Sequence, residues 1–103
     1  MSTTKIALIG AGYIADFHAR GLQTIPDVEI VAVVAKEMDE AKEFAQKYNI
    51  KDTYTEISEI IEREDIDAVI IGTPNQFHAP YAIEFLKSGK DVTITIKQDG
   101  LDF

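Results

Sequence analysis

The stretch that decides the fold is Lys-Ile-Ala-Leu-Ile-Gly-Ala-Gly-Tyr-Ile-Ala-Asp-Phe-His, residues 5–18. It opens with a compact apolar run that ends at Gly10. Large side chains then recur with the spacing of one helix face, at Ile14, Phe17, His18 and Leu22. The stretch therefore predicts a strand, a tight glycine turn and a helix.

The rest of the chain repeats this alternation. Short apolar runs at 29–34, 53–54 and 68–71 predict strands, because strands covered on both faces are almost continuously apolar. Asn49 and Gly89 suit the ends of the helices between and after them. The apolar faces of these helices are predicted at Met38, Ala41, Phe44, Ala45 and Tyr48, at Ile57, Ile60 and Ile61, and at Ala82, Ile83, Phe85 and Leu86.

The predicted order of elements is β-α-β-α-β-α-β-α-β, in a single α/β domain over residues 1–103. Because crossovers between parallel strands are right-handed, few topologies remain, and we expect a doubly wound Rossmann-type parallel sheet with strand order 3-2-1-4-5. Ligands of such sheets bind beyond the carboxyl ends of the strands, where the order reverses between strands 1 and 4. The loops at that point are residues 10–13 and 72–78.

Composition limits the class of protein. The chain has 103 residues, 46% hydrophobic and 27% charged, which is typical of one soluble globular domain. Its formal net charge of -8 makes nucleic acid an unexpected partner. The absence of cysteine excludes disulfides, thiolate metal sites and cysteine nucleophiles, and no metal site is predicted. The first apolar run is too short for a signal peptide or a membrane span, so we expect a cytoplasmic protein without membrane association.

Gly10, Gly12 and Ala15 form the pattern G-x-G-x-x-A between the first predicted strand and helix. Gly10 permits the sharp turn, Gly12 lets a pyrophosphate approach the backbone, and Ala15 allows close packing of the helix. The helix N-terminus also offers free N–H groups and the positive end of a dipole to phosphates. The pattern predicts a dinucleotide site, and the alternative is a tight turn without a ligand.

The end of the second strand bears on the choice of cofactor. Sites that prefer NAD usually place an acid there, about 20 residues after the glycine pattern, to bind the ribose hydroxyls. This chain has Ala35 followed by Lys36, and a small residue with a cation suits the 2′-phosphate of NADP. Lys36 therefore favours NADP, and the alternative is a solvated lysine without a ligand.

Three stretches have a recognisable combination of motifs. They are Gly-Ala-Gly-Tyr-Ile-Ala-Asp-Phe-His-Ala-Arg-Gly-Leu at 10–22, Ile-Val-Ala-Val-Val-Ala-Lys at 30–36 and Asp-Ile-Asp-Ala-Val-Ile-Ile-Gly-Thr-Pro-Asn-Gln-Phe-His at 65–78. Together they resemble the N-terminal domain of the glucose-fructose oxidoreductase and inositol dehydrogenase family, Gfo/Idh/MocA. The resemblance covers about residues 4–92 and implies an NAD(P)-binding domain of an oxidoreductase.

The resemblance implies two groups of cofactor-binding residues. The residues that meet the pyrophosphate are Gly10, Gly12, Tyr13 and Ile14. The family's T-P-N-x-x-H loop, which lies beside the cofactor, is formed by Thr73, Pro74, Asn75 and His78. From the residues alone, Asn75 and His78 either donate to the ribose or nicotinamide, or hold the turn and cap the helix. His18 is expected to be a core histidine, because it lies on an apolar helix face.

The chain departs from the family after about residue 92. The family carries a Glu-Lys-Pro motif after its fifth strand, whose lysine serves catalysis, and Thr95, Ile96 and Lys97 align with it here. Lys97 is one residue late, which would turn its side chain to the opposite face of the strand. We therefore expect no catalytic residue, and we expect the family's substrate domain to be absent.

Three functions remain open on the sequence. The chain is an NAD(P)-binding module without chemistry, a truncated or engineered structural domain that binds no ligand, or an oxidoreductase completed by another chain. The intact glycine pattern and the missing lysine favour the first of these. We therefore expect no dehydrogenase activity from this chain alone.

The last segment, Asp91–Lys97, alternates strictly between apolar and polar residues, which predicts a half-exposed strand at the edge of the sheet. An edge strand presents unpaired N–H and C=O groups with which another chain can pair. No proline lies within it to block such pairing. We therefore expect self-association, either as a homodimer through the edge of strand 5 or by an exchange of terminal segments between two chains.

Overall fold

A computed structural model gives the structure of residues 3–72 and 78–94, with the backbone alone for residues 13, 14, 78, 79 and 94. Strands and helices alternate in the predicted order: β1 (Thr4–Ile9), α1 (Tyr13–Leu22), β2 (Val28–Val34), α2 (Met38–Tyr48), β3 (Asp52–Tyr54), α3 (Ile57–Ile61), β4 (Ala68–Ile71), α4 (His78–Lys87) and β5 (Asp91–Ile94). Within these ranges, no helix has the length and apolar character needed to cross a membrane.

The five strands form one parallel sheet in the order β3-β2-β1-β4-β5, which confirms the predicted topology. β1 lies at the centre, between β2 and β4. The register places Ile9 opposite Val34 of β2 and opposite Ile71 of β4, so these three strands end together. Their carboxyl ends form one edge, from which the loops after β1, β2 and β4 emerge.

β2 contains one residue more than β1 where the two strands pair. Ile6 pairs with Ile30 and Ala7 pairs with Ala32, so Val31 is the extra residue of a β-bulge. Val31 and Ala32 consequently both pack on the same face of the sheet.

Helices cover both faces of the sheet, as a doubly wound fold requires. On the α1–α2 face, the buried cluster consists of Ile6, Leu8, Ala15, Ala19, Val33, Ala35, Ala41, Phe44, Ala45, Tyr48, Ile50 and Ile70. On the α3–α4 face, it consists of Ala7, Ile9, Val31, Ala32, Val34, Ile60, Ile66, Val69, Ile71, Ala82 and Phe85. The residues of β1 and β4 alternate between the two clusters, because successive side chains of a strand point to opposite faces.

α2 and α4 are each followed by a left-handed residue at the predicted position. Asn49 has φ 57° and Gly89 has φ 86°. The N–H of Lys90 donates to the carbonyl of Phe85 at 3.1 Å, and the N–H of Gly89 donates to the carbonyl of Leu86 at 3.1 Å. This pair of bonds is a Schellman motif, which stops α4 and directs the chain into β5.

The buried stripe of α1 differs in part from the predicted one. Leu22 packs against the core as predicted, and the side chain of Ile14 lies outside what the structure describes. Ala15 and Ala19 face the core, whereas Phe17 is 58% exposed. The small alanines let the helix approach the sheet closely, which leaves the larger side chain on a flank. His18 is half-buried rather than in the core, and this burial lowers the pKa of its imidazole.

On α4 and α2, fewer of the predicted apolar residues are buried than expected. On α4, Ala82 and Phe85 are buried as predicted, but Ile83 and Leu86 are 50% and 60% exposed. Met38, at the start of α2, is 36% exposed. A helix on a flat sheet buries a narrower stripe than these apolar residues cover, so the outer members of each set stay in solvent.

The described part of β5 ends at Ile94, and the predicted continuation to Lys97 lies outside the described residues. Val92 packs against the buried cluster of the α3–α4 face, whereas Asp91 and Thr93 are exposed. The prediction of a half-exposed strand is therefore confirmed over these three residues.

Arg63 ties the turn after α3 to β3. Its guanidinium donates to Asp65 in two hydrogen bonds of 2.9 and 2.6 Å, and to Asp52 of β3 at 2.8 Å. The bonds from Arg63 lower the pKa of Asp65 to about 2. The ammonium of the buried Lys90 donates to the backbone carbonyl of Arg63 at 2.5 Å, which joins the turns that precede β4 and β5.

Candidate functional site

The glycine loop, residues 10–12, begins where the strand order reverses. The N–H of Gly10 donates to the carbonyl of Val34 at 2.6 Å, and the N–H of Gly72 donates to the carbonyl of Ile9 at 2.9 Å. These bonds hold the loops that follow β1 and β4 against the ends of the neighbouring strands. The loops after β1, β2 and β4 therefore start side by side, at the position predicted for a ligand.

The two glycines of the loop have different conformations. Gly10 has φ 107°, which residues with a Cβ rarely adopt, so the turn out of β1 itself requires glycine. Gly12 has φ -90° and ψ -159°, an extended conformation that other residues adopt as well. A Cβ on Gly12 would meet no atom within 4 Å in the part of the chain that the structure describes. Packing among the described residues therefore does not require glycine at position 12, and an approach from outside the chain would explain it.

Gly12 is also the N-cap of α1. The first helical hydrogen bond runs from the N–H of Asp16 to the carbonyl of Gly12 at 3.0 Å, so the N–H groups of Tyr13, Ile14 and Ala15 have no acceptor within the helix. They lie at the positive end of the helix dipole. Ala15 is 3% exposed and belongs to the buried cluster, as predicted for the third small residue of the pattern.

Asp16, in the first turn of α1, has partners on two helices. Its Oδ1 accepts a hydrogen bond from Nζ of Lys47 on α2 at 2.8 Å, and its Oδ2 lies 3.4 Å from Arg20. The hydroxyl of Tyr48 also donates to Oδ1. The bond from Lys47, followed by that from Tyr48, lowers the pKa of Asp16. The carboxylate is therefore ionised, and two cations offset its charge beside the helix N-terminus.

Asp16 was not among the predicted site residues. One signal was present, because an acid that directly follows G-x-G-x-x-A would repel phosphates unless cations offset its charge. Arg20 is one helical turn away and could have been found by spacing. Lys47 could not, because its position depends on how α2 packs beside α1.

A cavity of about 690 Å³ opens between α1 and α2 beside the glycine loop. It is lined by Ala11, Gly12, Asp16, Glu40, Glu43, Phe44, Gln46 and Lys47. This volume is in the range of small-molecule sites. Gly12 therefore borders both the ligand edge of the sheet and a concave surface of molecular size.

Lys36 follows β2 at the same edge of the sheet. Ala35 is buried, and its N–H donates to the carbonyl of Tyr54 at 3.0 Å, which holds the end of β2 against β3. Lys36 is exposed, and the described ranges contain no ion pair to it. The end of β2 thus presents a cation where NAD-preferring sites usually present a carboxylate.

Of the second predicted group of site residues, Thr73, Pro74 and Asn75 lie outside the described residues. His78 is the first residue of α4, described by its backbone. The loop leaves β4 at Gly72, which is bonded to the last residue of β1. It therefore starts beside the glycine loop.

The residues that form this edge lie within a match to a known protein family. The model of the oxidoreductase family with an NAD-binding Rossmann fold, Gfo/Idh/MocA, matches residues 4–95. The chain belongs to this family. The match confirms the resemblance carried by the glycine loop, β2 and the loop after β4.

Curated relatives in the Gfo/Idh/MocA family are dehydrogenases. The 4-carboxy-2-hydroxymuconate-6-semialdehyde dehydrogenase of Sphingobium sp. (strain NBRC 103272 / SYK-6) is 44% identical over 92 residues, 89% of this chain and 29% of the relative. The scyllo-inositol 2-dehydrogenase (NADP(+)) of Bacillus subtilis (strain 168) is 32% identical over 88 residues, 85% of this chain and 27% of the relative. The chain spans less than a third of the length of these relatives.

A solved structure shows the same fold with its cofactor. Scyllo-inositol dehydrogenase from Lactobacillus casei, with bound cofactor NAD(H) and scyllo-inositol, matches with a TM-score of 0.82 and 26% identity. The match covers 90% of this chain and 28% of the other. This Gfo/Idh/MocA chain is therefore an NAD-binding Rossmann domain by fold and family, and it corresponds to the N-terminal portion of longer dehydrogenases.

Proposed function

We propose that this chain binds NAD or NADP at the carboxyl edge of its sheet, with the pyrophosphate at the glycine loop. The observation that carries the proposal is the conformation of Gly12. Its φ is ordinary and a Cβ there would meet no atom of the described residues, so packing among them does not require glycine. A pyrophosphate in contact with the backbone would require it.

The pyrophosphate would be held by backbone groups at Gly10, Gly12, Tyr13 and Ile14. The N–H groups at the start of α1, which have no acceptor within the helix, are the donors that such an anion needs. Thr73, Pro74, Asn75 and His78 are proposed to lie beside the cofactor. This is supported by the position of Gly72, from which their loop starts next to β1.

The cation at the end of β2 supports a preference for NADP. Ala35 is buried and Lys36 is exposed, so a 2′-phosphate there would meet an ammonium instead of a carboxylate. Among the relatives, one is named for NADP(+) and one solved structure holds NAD(H), so the family includes both.

We propose that the chain binds and orients a dinucleotide without catalysing hydride transfer by itself. The nicotinamide, when bound, supplies the hydride chemistry. A positioned base is also needed to take the proton of a substrate hydroxyl. Thr95, Ile96 and Lys97 stand where the family's catalytic motif is expected, and more than two thirds of the relatives' length lies outside the match. Turnover would require catalytic residues from outside the matched region.

Calorimetric titration with NAD and NADP tests the proposal. Wild type should bind, and Gly12→Val should abolish binding because its side chain would occupy the place of the pyrophosphate. The matched control is Gly21→Val, at the other end of α1, where a Cβ also meets no atom within 4 Å. Loss of an acceptable N-cap should cost Gly12→Val only about 1 kcal/mol of stability, which chemical unfolding would verify.

Each outcome of this titration has a distinct meaning. If wild type binds neither cofactor, the chain is a structural domain and the proposed function is wrong. If wild type and Gly12→Val bind equally, the glycine loop is not the site. If Gly21→Val loses binding as fully as Gly12→Val, the effect is a general one on α1.

A further inference from the structure

We infer that Tyr48, the last residue of α2, positions the first turn of α1 for the pyrophosphate of the cofactor. Tyr48 acts through Asp16 and is therefore a positioning residue rather than a cofactor ligand. Its role rests on the proposed function, because the N–H groups concerned are those assigned to the pyrophosphate.

The first turn of α1 has no side-chain cap. Its N-cap is Gly12, which has no side chain, and the N–H groups of the next three residues have no acceptor within the helix. A helix start without a cap opens more readily than a capped one. A cap would, however, occupy the N–H groups that an anion needs. A turn that both binds an anion and stays ordered must therefore be held from outside the helix.

Tyr48 reaches this turn from α2. Its hydroxyl donates to Oδ1 of Asp16 and lies 3.5 Å from the backbone oxygen of the same residue. The N–H of Asp16 closes the first helical hydrogen bond, with the carbonyl of Gly12 at 3.0 Å. The hydroxyl of Tyr48 thus contacts the residue whose backbone completes the first turn.

The ring of Tyr48 is itself fixed in place. It is 7% exposed, and its centroid lies 4.9 Å from that of Phe44 within the buried cluster of the α1–α2 face. Directly after it, the N–H of the left-handed Asn49 donates to the carbonyl of Ala45 and ends the helix. Because buried rings in a close-packed core have little freedom, the hydroxyl is held at one position along α1.

A second bond from Tyr48 holds the other end of α1. Its backbone carbonyl accepts a hydrogen bond of 2.9 Å from Nε2 of Gln23, the C-cap of α1. Asp16 and Gln23 are separated by about 10 Å along the helix axis. Tyr48 therefore bonds to α1 near both of its ends, which fixes the tilt of α1 against α2.

Lys47 also bonds to Asp16, but it holds the turn less firmly. Its side chain is 63% exposed, and exposed ion pairs contribute little because water and salt screen them. Burial and the carboxylate of Asp16 raise the pKa of Tyr48, whereas the bond from Lys47 lowers the pKa of Asp16. The phenol therefore stays protonated and the carboxylate ionised, so the charge-assisted bond between them keeps one direction.

The role of Tyr48 differs from that proposed for Lys36. Lys36 would meet the 2′-phosphate, which only NADP has. Tyr48 acts on the site of the pyrophosphate, which NAD and NADP share. Loss of the Tyr48 hydroxyl should therefore weaken the binding of both cofactors equally.

Tyr48→Phe tests this role, because it removes the hydroxyl and keeps the buried ring and the backbone carbonyl. Calorimetric titration should show the affinities for NAD and NADP each reduced about three- to tenfold, as for residues that influence a site without touching the ligand. Gln23→Met, the matched control, removes the bond at the other end of α1 and should change either affinity less than about twofold. In an Asp16→Ala background, Tyr48→Phe should have no further effect, because the two residues act through one bond.

Amide hydrogen exchange of the cofactor-free chain measures the first turn without reference to the proposed function. The Asp16 amide should exchange about three- to tenfold faster in Tyr48→Phe and at the wild-type rate in Gln23→Met. Unchanged exchange or unchanged affinity in Tyr48→Phe overturns the role of Tyr48, and so does an equal loss of affinity in Gln23→Met. If wild type binds neither cofactor while Tyr48→Phe speeds exchange, the proposed function is wrong and Tyr48 still holds the first turn.

Discussion

Nζ of Lys47 lies 2.8 Å from Oδ1 of Asp16, and this ion pair joins α2 to the first turn of α1 directly after the glycine pattern. The hydroxyl of Tyr48 donates to the same oxygen. The charge beside the proposed pyrophosphate position is therefore governed by α2 as well as by α1.

Lys47→Met should weaken NADP binding about two- to fivefold, because it removes a cation that offsets the charge of Asp16 near the helix N-terminus. It should also lower the melting temperature. The pKa of Asp16 is lowered in the folded state, so this contribution is complete above pH 3.8 and is lost as the pH falls through the folded value. Titration and thermal unfolding measure both effects. Lys42→Met on the same helix is the control. Equal changes of NADP affinity and melting temperature in the two variants would contradict the role given to the ion pair of Lys47 with Asp16.

Asp65→Asn should make the free energy of unfolding less dependent on pH in the acid range. The pKa of Asp65 falls from 3.8 to about 2 on folding, so the unfolded state binds its proton more tightly. The stabilisation is therefore complete above about pH 4 and is lost between about pH 4 and pH 2. Denaturant unfolding at a series of pH values measures this window. Asp27→Asn, an exposed carboxylate, is the control, and a curve for Asp65→Asn as steep as that of wild type would refute the prediction.

Lys36→Ala should raise the dissociation constant for NADP about five- to tenfold, the value of one charge-assisted contact, and should change that for NAD less than about twofold. The difference arises because only NADP has a 2′-phosphate. Calorimetric titration of both cofactors measures it, with Lys42→Ala as the control. An equal loss of affinity for the two cofactors would mean that Lys36 attracts the negative charge of either cofactor in general. No loss of affinity would mean that Lys36 is a solvated lysine that contacts neither.

The chain alone should not reduce NAD or NADP with sugars or polyols as substrates. The reason is the family's catalytic lysine, which the resemblance aligns with Ile96, so that Lys97 follows one residue late in the sequence and is not expected to replace it as the base for the substrate hydroxyl. The assay follows the absorbance of the reduced nicotinamide. Lys97→Ala is the control, and steady turnover by wild type above that control would show that the chain is an enzyme.

Phe85→Ala and Leu86→Ala should differ strongly in stability although the residues are adjacent. Phe85 is 0% exposed, and its truncation should cost about 3–5 kcal/mol of the free energy of unfolding. Leu86 is 60% exposed, and its truncation should change that free energy by no more than about 0.5 kcal/mol in the monomer. Urea unfolding at low protein concentration measures both values. Similar losses would show that the buried stripe of α4 is wider than described.

The strand order and both helix layers could be predicted because they depend on local signals. Gly10 follows an apolar run and adopts the left-handed turn expected of it, and Gly89 stops α4 where its position predicts. Once the elements alternate, the handedness of crossovers leaves few arrangements. The location of the glycine loop at the reversal of strand order follows from the same rule.

Features that depend on packing between elements could not be predicted. Phe17 and Leu86 have the hydrophobicity of core residues, but small alanines on α1 and the narrow contact of α4 leave both exposed. Two partners of Asp16, Lys47 and Tyr48, come from α2, which is separated from it by a strand and two loops. Periodicity finds the apolar side of a helix without saying how much of that side the sheet covers.

The bulge at Val31 has a consequence for how the chain tolerates insertions and deletions. Before it, β2 residues pair with β1 residues 24 positions earlier, and after it with residues 25 positions earlier. Removal of one residue there would move each later side chain of β2 to the opposite face of the sheet, or else shift the Val34 carbonyl away from Gly10. Surface loops absorb length changes at small cost. Val31 therefore tolerates deletion poorly, although it lies within a uniform apolar run of the sequence. Composition alone gives no sign that a bulge is there.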